Sequence, residues 1–225
     1  MCRPVRDCKK ENKIMHSDES EYLKETARSY AAKKEEIKYT YGDYLKWPDD
    51  ERWEIIEGVA YNMSPAPLRV HQEMSGILFA KIFNYLVDKP CRVYAAPFDV
   101  RLPENSEKDD KIKTVVQPDI VVICDRKKLD EKGCKGAPDL IVEIVSPSTG
   151  SKDKIQKMNL YEKAGVKEYW IASPDDKTLM VFKLGNDGRY GRPDVYSKEH
   201  KVEVGIFAGE LVVDLGEVFM EEAGF

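Results

Sequence analysis

Two acidic side chains stand where a strand normally buries apolar ones. Asp119 follows Val115-Val116-Gln117-Pro118 and precedes Ile120-Val121-Val122-Ile123, and Glu143 interrupts the run Leu140-Ile141-Val142-Glu143-Ile144-Val145. Short runs of β-branched residues bounded by turn formers predict strands, and apolarity at both parities predicts a sheet covered on both faces. A carboxylate in the middle of such a strand must shed water, which is costly unless a counter-charge or a metal ion offsets it. Two of them suggest a shared cation. The plainer alternative for each is a structural salt bridge, or a pleat that turns it to solvent.

Three further side chains belong with this pair. Residues 151–165 predict a helix with a serine cap and a glycine stop, in which Asp153, Lys157, Leu160, Tyr161 and Ala164 share a face. Lys157 either snorkels past its apolar neighbours or reaches back toward the end of the preceding strand. Glu54 lies in the first strand of a hairpin over 52–63 that turns at Glu57-Gly58, where glycine supplies positive φ. Taken alone, it reads as a solvent-facing acid on an edge strand. His71 opens an amphipathic helix marked by Val70, Met74, Ile77, Leu78, Lys81, Ile82, Tyr85 and Leu86 and ending near Pro90. The helix dipole favours its neutral imidazole, and its roles divide between capping or packing and orienting substrate or a catalytic acid.

The elements that must hold these residues alternate in kind. Thr40 caps a short helix that ends before Pro48, Cys91 to Leu102 has strand character broken at Pro97, and 103–113 is an exposed polar loop. A basic connection, Asp125 to Pro138, has room for a short helix around Leu129. Beyond the helix at 151–165 come strands at 168–172, 178–182, 190–196, 202–204 and 210–214, with hairpin turns at Pro174 to Lys177 and Gly185 to Gly188. The mixture is α/β with antiparallel strands at its margin.

A chain of 225 residues, 42% hydrophobic and without a Pro/Gly/Ser-rich linker, predicts one domain over 39–225 behind a charged, partly helical extension over 1–38. The extension offers a helix from Ser17 or Asp18 with only Tyr22, Ala27 and Tyr30 as an apolar stripe. A net charge of -5 excludes coating nucleic acid by bulk charge and leaves room for a local basic cleft with modest, salt-sensitive affinity. Five cysteines without a Cys-x-x-Cys pair support neither a disulfide framework nor a zinc site, so reducing cytoplasm is the default. No apolar stretch of signal-peptide or membrane-spanning length appears, and the expectation is a soluble cytoplasmic protein with no membrane partner.

The order Trp53-Glu54-Ile55-Ile56-Glu57-Gly58, Ser64-Pro65, His71, Gln117-Pro118-Asp119, Val142 to Thr149, then Asp153, Lys157, Tyr161, Gly165-Val166 and Glu168-Tyr169-Trp170, resembles the Uma family of restriction endonuclease-like proteins. That family is placed in the PD-(D/E)XK nuclease superfamily, and the likeness spans roughly 40–184. It implies a restriction endonuclease-like mixed β-sheet core flanked by helices. It also implies Asp119 and Glu143 as metal-binding acids with the Ile144 carbonyl as a third ligand, and Glu54 as the early acid, with Glu57 a weaker candidate. The superfamily lysine would fall at Val145; here its role passes to Lys157 on the following helix.

The chemistry so implied is metal-dependent hydrolysis of DNA. Mg²⁺, or Mn²⁺, prefers oxygen ligands and keeps several waters, so two carboxylates and a carbonyl suit it. Phosphodiester cleavage needs an in-line activated water and positive charge at the phosphoryl oxygens. Lys157 lowers the pKa of that water or neutralises the developing charge, Glu54 holds a second ion or orients Lys157, and His71 assists. Cutting both strands would call for two sites and hence a homodimer. The alternative is a nuclease-like fold used for binding or assembly, for which Val145 argues. Serine hydrolysis through Ser146 or Ser148 lacks a Gly-x-Ser-x-Gly elbow.

Overall fold

The computed structural model describes residues 38–48, 50–63, 67–145 and 151–220, with 151–154 described for their backbone alone. The helix expected in 1–38 and the serines at 146 and 148 lie outside the described residues, and the chain from Lys38 onward forms one compact unit.

Two six-stranded mixed sheets share the chain. The first has the order β2-β1-β5-β4-β8-β7, built from β1 (Trp53–Ile56), β2 (Val59–Asn62), β4 (Val100–Arg101), β5 (Val115–Val116), β7 (Leu129–Asp130) and β8 (Gly133–Lys135). The second has the order β12-β11-β10-β9-β6-β3, built from β3 (Arg92–Ala95), β6 (Ile120–Ile123), β9 (Leu140–Ile144), β10 (Glu168–Ser173), β11 (Thr178–Lys183) and β12 (Asp194–Ser197). The pairs β9·β10 and β4·β8 are parallel and the rest antiparallel. A small ribbon joins β13 (Lys201–Glu203) to β14 (Val212–Asp214). The helices are α1 (Tyr41–Tyr44), α2 (Arg69–Leu86), α3 (Ser151–Ala164) and α4 (Leu215–Val218).

The second sheet is covered on both faces, as its two-parity apolar runs require. Ile120, Val122, Leu140, Val142, Trp170 and Ala172 pack with Met74, Leu78, Ile82 and Leu86 of α2. On the opposite parity Val121, Ile123, Ile141, Tyr169 and Ile171 meet Ile56, Val100 and Val116 of the first sheet and Leu160 and Tyr161 of α3. Glu143 has the parity of Ile141, so its side chain leaves the sheet on the α3 side.

The expected single strand 115–123 is instead two strands in two sheets. Pro118 has no N–H to give a ladder, and the chain crosses between the sheets at Gln117-Pro118-Asp119. Asp119 therefore stands at the mouth of β6 rather than inside a strand. The short helix expected around Leu129 is a 3₁₀ turn at Arg126–Lys128, and Leu129 itself begins a hairpin. The strand expected at 190–196 reduces to β12, with an isolated bridge between Leu184 and Tyr190. The turn at Glu57-Gly58 has φ of 51° and 86°, the pair of positive values a two-residue hairpin needs.

The cysteine reading is overturned at one place. Cys91 and Cys124 form a disulfide, with their Cα atoms 3.9 Å apart. Antiparallel register decides it: Arg92 of β3 pairs with Ile123 of β6, which sets the next residues outward, Cys91 and Cys124, opposite each other. A spacing of 33 residues carries no such signal in the sequence. Among the described residues no helix is long and apolar enough to cross a membrane.

Candidate active site

The acids meet at the seam between the sheets, under α3. Glu54, in the middle of β1, is 6% exposed rather than solvent-facing. Its Oε1 accepts from the Gln117 backbone N–H at 2.9 Å and from Lys157 Nζ at 3.0 Å. Lys157 Nζ also donates to Glu143 Oε1 at 3.0 Å, so one ammonium bridges acids from two sheets. The arrangement follows from α3: Lys157 and Tyr161 are one turn apart on its inward face, and the Tyr161 hydroxyl donates to the same Glu143 oxygen at 2.7 Å.

Asp119 closes the mouth of β6 against β9. Its Oδ2 accepts from the Ile144 backbone N–H at 2.7 Å and stands 3.2 Å from His71 Nε2, while its backbone carbonyl accepts from Ala96 N–H at 3.0 Å. Glu54, His71, Asp119, Glu143 and Lys157 are thus linked through direct contacts and the Glu143-Ile144 backbone. Glu57 is not among them. It sits at the hairpin turn, exposed, with its carboxylate 3.3 Å from Lys163. The side chain of Asp153 lies outside the described residues.

Burial raises the Glu143 carboxyl to about 7, with Asp119 and Glu54 adding to the rise and Lys157 and Tyr161 opposing it. Burial would lower Lys157, but Glu143 and Glu54 outweigh it and hold the ammonium above its ordinary range. The His71 pKa is raised, opposite to the lowering expected at a helix start. Burial works to lower it, yet the hydrogen bond and charge of Asp119, with Glu143 and the Ile144 backbone, raise it overall. A carboxylate partner one contact away thus prevails over a helix dipole.

Sequence reasoning placed Tyr161 on the face of Lys157 but gave it no part in the site. Its i+4 spacing from Lys157 was the available signal. Tyr161→Phe removes the hydroxyl that favours ionised Glu143 and keeps the packing. Glu143 is expected to ionise above its present value of about 7, and alkaline stability to drop by about 1.5–3 kcal/mol, the cost of a lost hydrogen bond to a charged group. Carboxyl ¹³C shifts followed against pH, with urea unfolding at pH 8, check both.

A family model, Uma2, described as "Putative restriction endonuclease", matches residues 41–216. The chain belongs to the Uma2 family. The Uma2 match includes all five linked residues, from Glu54 to Lys157. A Synechocystis sp. protein described as "Uncharacterized protein slr1290" is 24% identical to this Uma2 chain over 149 residues, 65% of the chain and 74% of that protein. A solved structure from Anabaena variabilis, described as "a putative nuclease belonging to DUF820", aligns with a TM-score of 0.64 at 22% identity, covering 80% of this chain and 97% of that one. At such identity the likeness is one of fold, and the mixed α/β architecture of this Uma2 protein is nuclease-like.

Proposed function

We propose that this protein is a divalent-metal-dependent endonuclease that hydrolyses DNA phosphodiester bonds at the Asp119, Glu143, Lys157 and Glu54 cluster. The observation that carries the reading is the Lys157 ammonium, 3.0 Å from carboxylates of two different sheets and one helical turn from Tyr161. A lysine that merely snorkelled would take its charge to solvent; this one is only 17% exposed.

The donor set fits a hard ion. Among the described residues the recorded hydrogen bonds fall on Asp119 Oδ2 and Glu143 Oε1, one oxygen of each acid. Among those residues no group of three or more His, Cys, Asp or Glu side chains forms a metal cage. Mg²⁺ and Mn²⁺ sites built from one or two carboxylates, a carbonyl and retained waters need no such cage. Asp119, Glu143 and the Ile144 carbonyl would hold the ion, which supplies Lewis acidity and an activated water when bound. Lys157 places positive charge where the phosphoryl oxygens gain negative charge. Glu54, anchored by the Gln117 N–H, holds Lys157 in place, and His71 orients Asp119.

Val145, apolar where the superfamily lysine would fall, favours the alternative of a binding or assembly module. The ammonium that α3 supplies to the same acid answers it. Purified protein is expected to nick supercoiled plasmid with Mg²⁺ or Mn²⁺ and to stop on adding EDTA. Asp119→Asn should cut the rate by on the order of 10²–10³-fold and weaken Mg²⁺ binding in calorimetry. Nicking that survives EDTA, or is equal in the variant, rejects the site.

A further inference from the structure

Glu54 shares its strand face with a second charged residue. Side chains alternate along a strand, so Arg52 and Glu54 project to one side and Trp53 to the other. The Met63 N–H donates to the Arg52 carbonyl at 2.9 Å, which carries the β1·β2 pairing out to Arg52.

The Arg52 guanidinium is exposed yet held. Its Nε and Nη2 donate to Gln117 Oε1 at 3.2 and 2.9 Å. Gln117 Nε2 donates to the Tyr44 hydroxyl at 3.0 Å and to Asp99 Oδ1 at 2.9 Å, and the Tyr44 hydroxyl donates to the same Asp99 oxygen at 3.0 Å. That network leaves the amide one orientation, with its oxygen toward Arg52. Gln117 is 8% exposed, and its backbone N–H is the group that anchors Glu54. One buried glutamine therefore aligns both the acid that holds Lys157 and the arginine beside it.

Among the described residues no carboxylate offsets the charge on Arg52. Arg69, Arg101 and Arg189 each pair with a carboxylate and Arg92 and Arg126 donate to backbone carbonyls, whereas among the described residues Arg52 meets only the side-chain amide oxygen of Gln117. A guanidinium has five N–H donors, and Gln117 engages one at each of two nitrogens. The remaining fork suits the two non-bridging oxygens of a phosphate.

We propose that Arg52 is a phosphate-binding residue that positions the nucleic-acid backbone, gripping a phosphate next to the one at Asp119 and Glu143, with Gln117 as its rest. The assignment deepens the nuclease reading and depends on it. The strand places Arg52 about 7 Å from Glu54, two residues along, and Lys157 ties Glu54 to Glu143, so the phosphate it holds lies on the Glu54 side of the reacting one.

The test is the affinity of wild-type protein, Arg52→Lys, Arg52→Gln and Arg52→Met for a fluorescein-labelled DNA duplex across a salt series, with Ca²⁺ in place of Mg²⁺. The two neutral variants are expected to flatten the plot of log K against log salt by about 0.9, the loss of one phosphate contact. Arg52→Lys should keep the slope, and Mg²⁺ affinity by calorimetry should stay at the wild-type value in all four proteins. Arg52→Gln retains an N–H for Gln117, so it reports charge even if Arg52→Met fails to fold. Unchanged slopes in a protein that nicks plasmid overturn this assignment alone, as does a loss confined to Arg52→Met, which would mark Arg52 as a prop for Gln117. A wild-type protein that neither nicks nor binds DNA overturns the assignment together with the nuclease reading.

Discussion

Lys157→Met is expected to destabilise the fold by about 3–5 kcal/mol above pH 7, the range found when one member of a buried ion pair is removed. It should also reduce metal-dependent cleavage by on the order of 10²–10³-fold. In the wild-type protein Lys157 stands between Glu54 and Glu143, whose side chains are 8% and 12% exposed. Without the ammonium, two carboxylates face each other with little water to screen them. Like charges drive protonation of one of the pair, so the folded variant holds a proton that the unfolded chain releases. Its deficit should therefore shrink as pH falls. Denaturant unfolding at pH 8 and pH 5.5 measures this; equal losses at both values would mean that Lys157 does not neutralise the acids.

The second large effect concerns pH itself. The folded state raises Glu143 from 4.5 to about 7, so between those values it keeps a proton that the unfolded chain has released. The stability this proton supplies is fully present below pH 4.5 and is lost as pH rises through about 7. The slope approaches 1.4 kcal/mol per pH unit within the window, on the order of 3 kcal/mol in all. Glu143→Gln keeps the shape and removes the titration. Its stability should run flatter across the window and exceed that of wild type at pH 8, while metal affinity and cleavage fall by on the order of 10²-fold or more. In the wild-type protein, metal affinity should climb with pH through about 7 as the carboxyl ionises. A metal affinity independent of pH between 5 and 8 would falsify the assignment of Glu143 as a ligand.

Part of this side-chain cluster is legible before any coordinate. Asp119 and Glu143 drew notice because carboxylates seldom sit among β-branched residues, and Lys157 because the 3.6-residue period put it beside Leu160 and Tyr161. Those signals are local, resting on strand alternation, helix period and turn chemistry, all set by residues within a few positions of one another. The helix over 69–86, the helix over 151–164 and the hairpin at Glu57-Gly58 were legible for that reason.

What the tertiary structure alone decided depends on which distant segments lie side by side. Strand register brought Cys91 against Cys124, and the crossing at Pro118 divided one apparent strand between two sheets. Glu54 looked like a surface acid in its own strand and became buried only when α3 from 103 residues away laid Lys157 over it. Asp119, which no helix pattern contains, raises the His71 pKa against the burial that lowers it. The Arg52, Tyr44, Asp99 and Gln117 network likewise joins four segments, each unremarkable by itself. Periodicity assigns a side chain to a face; only packing, through the burial and charges it brings together, determines what that face meets.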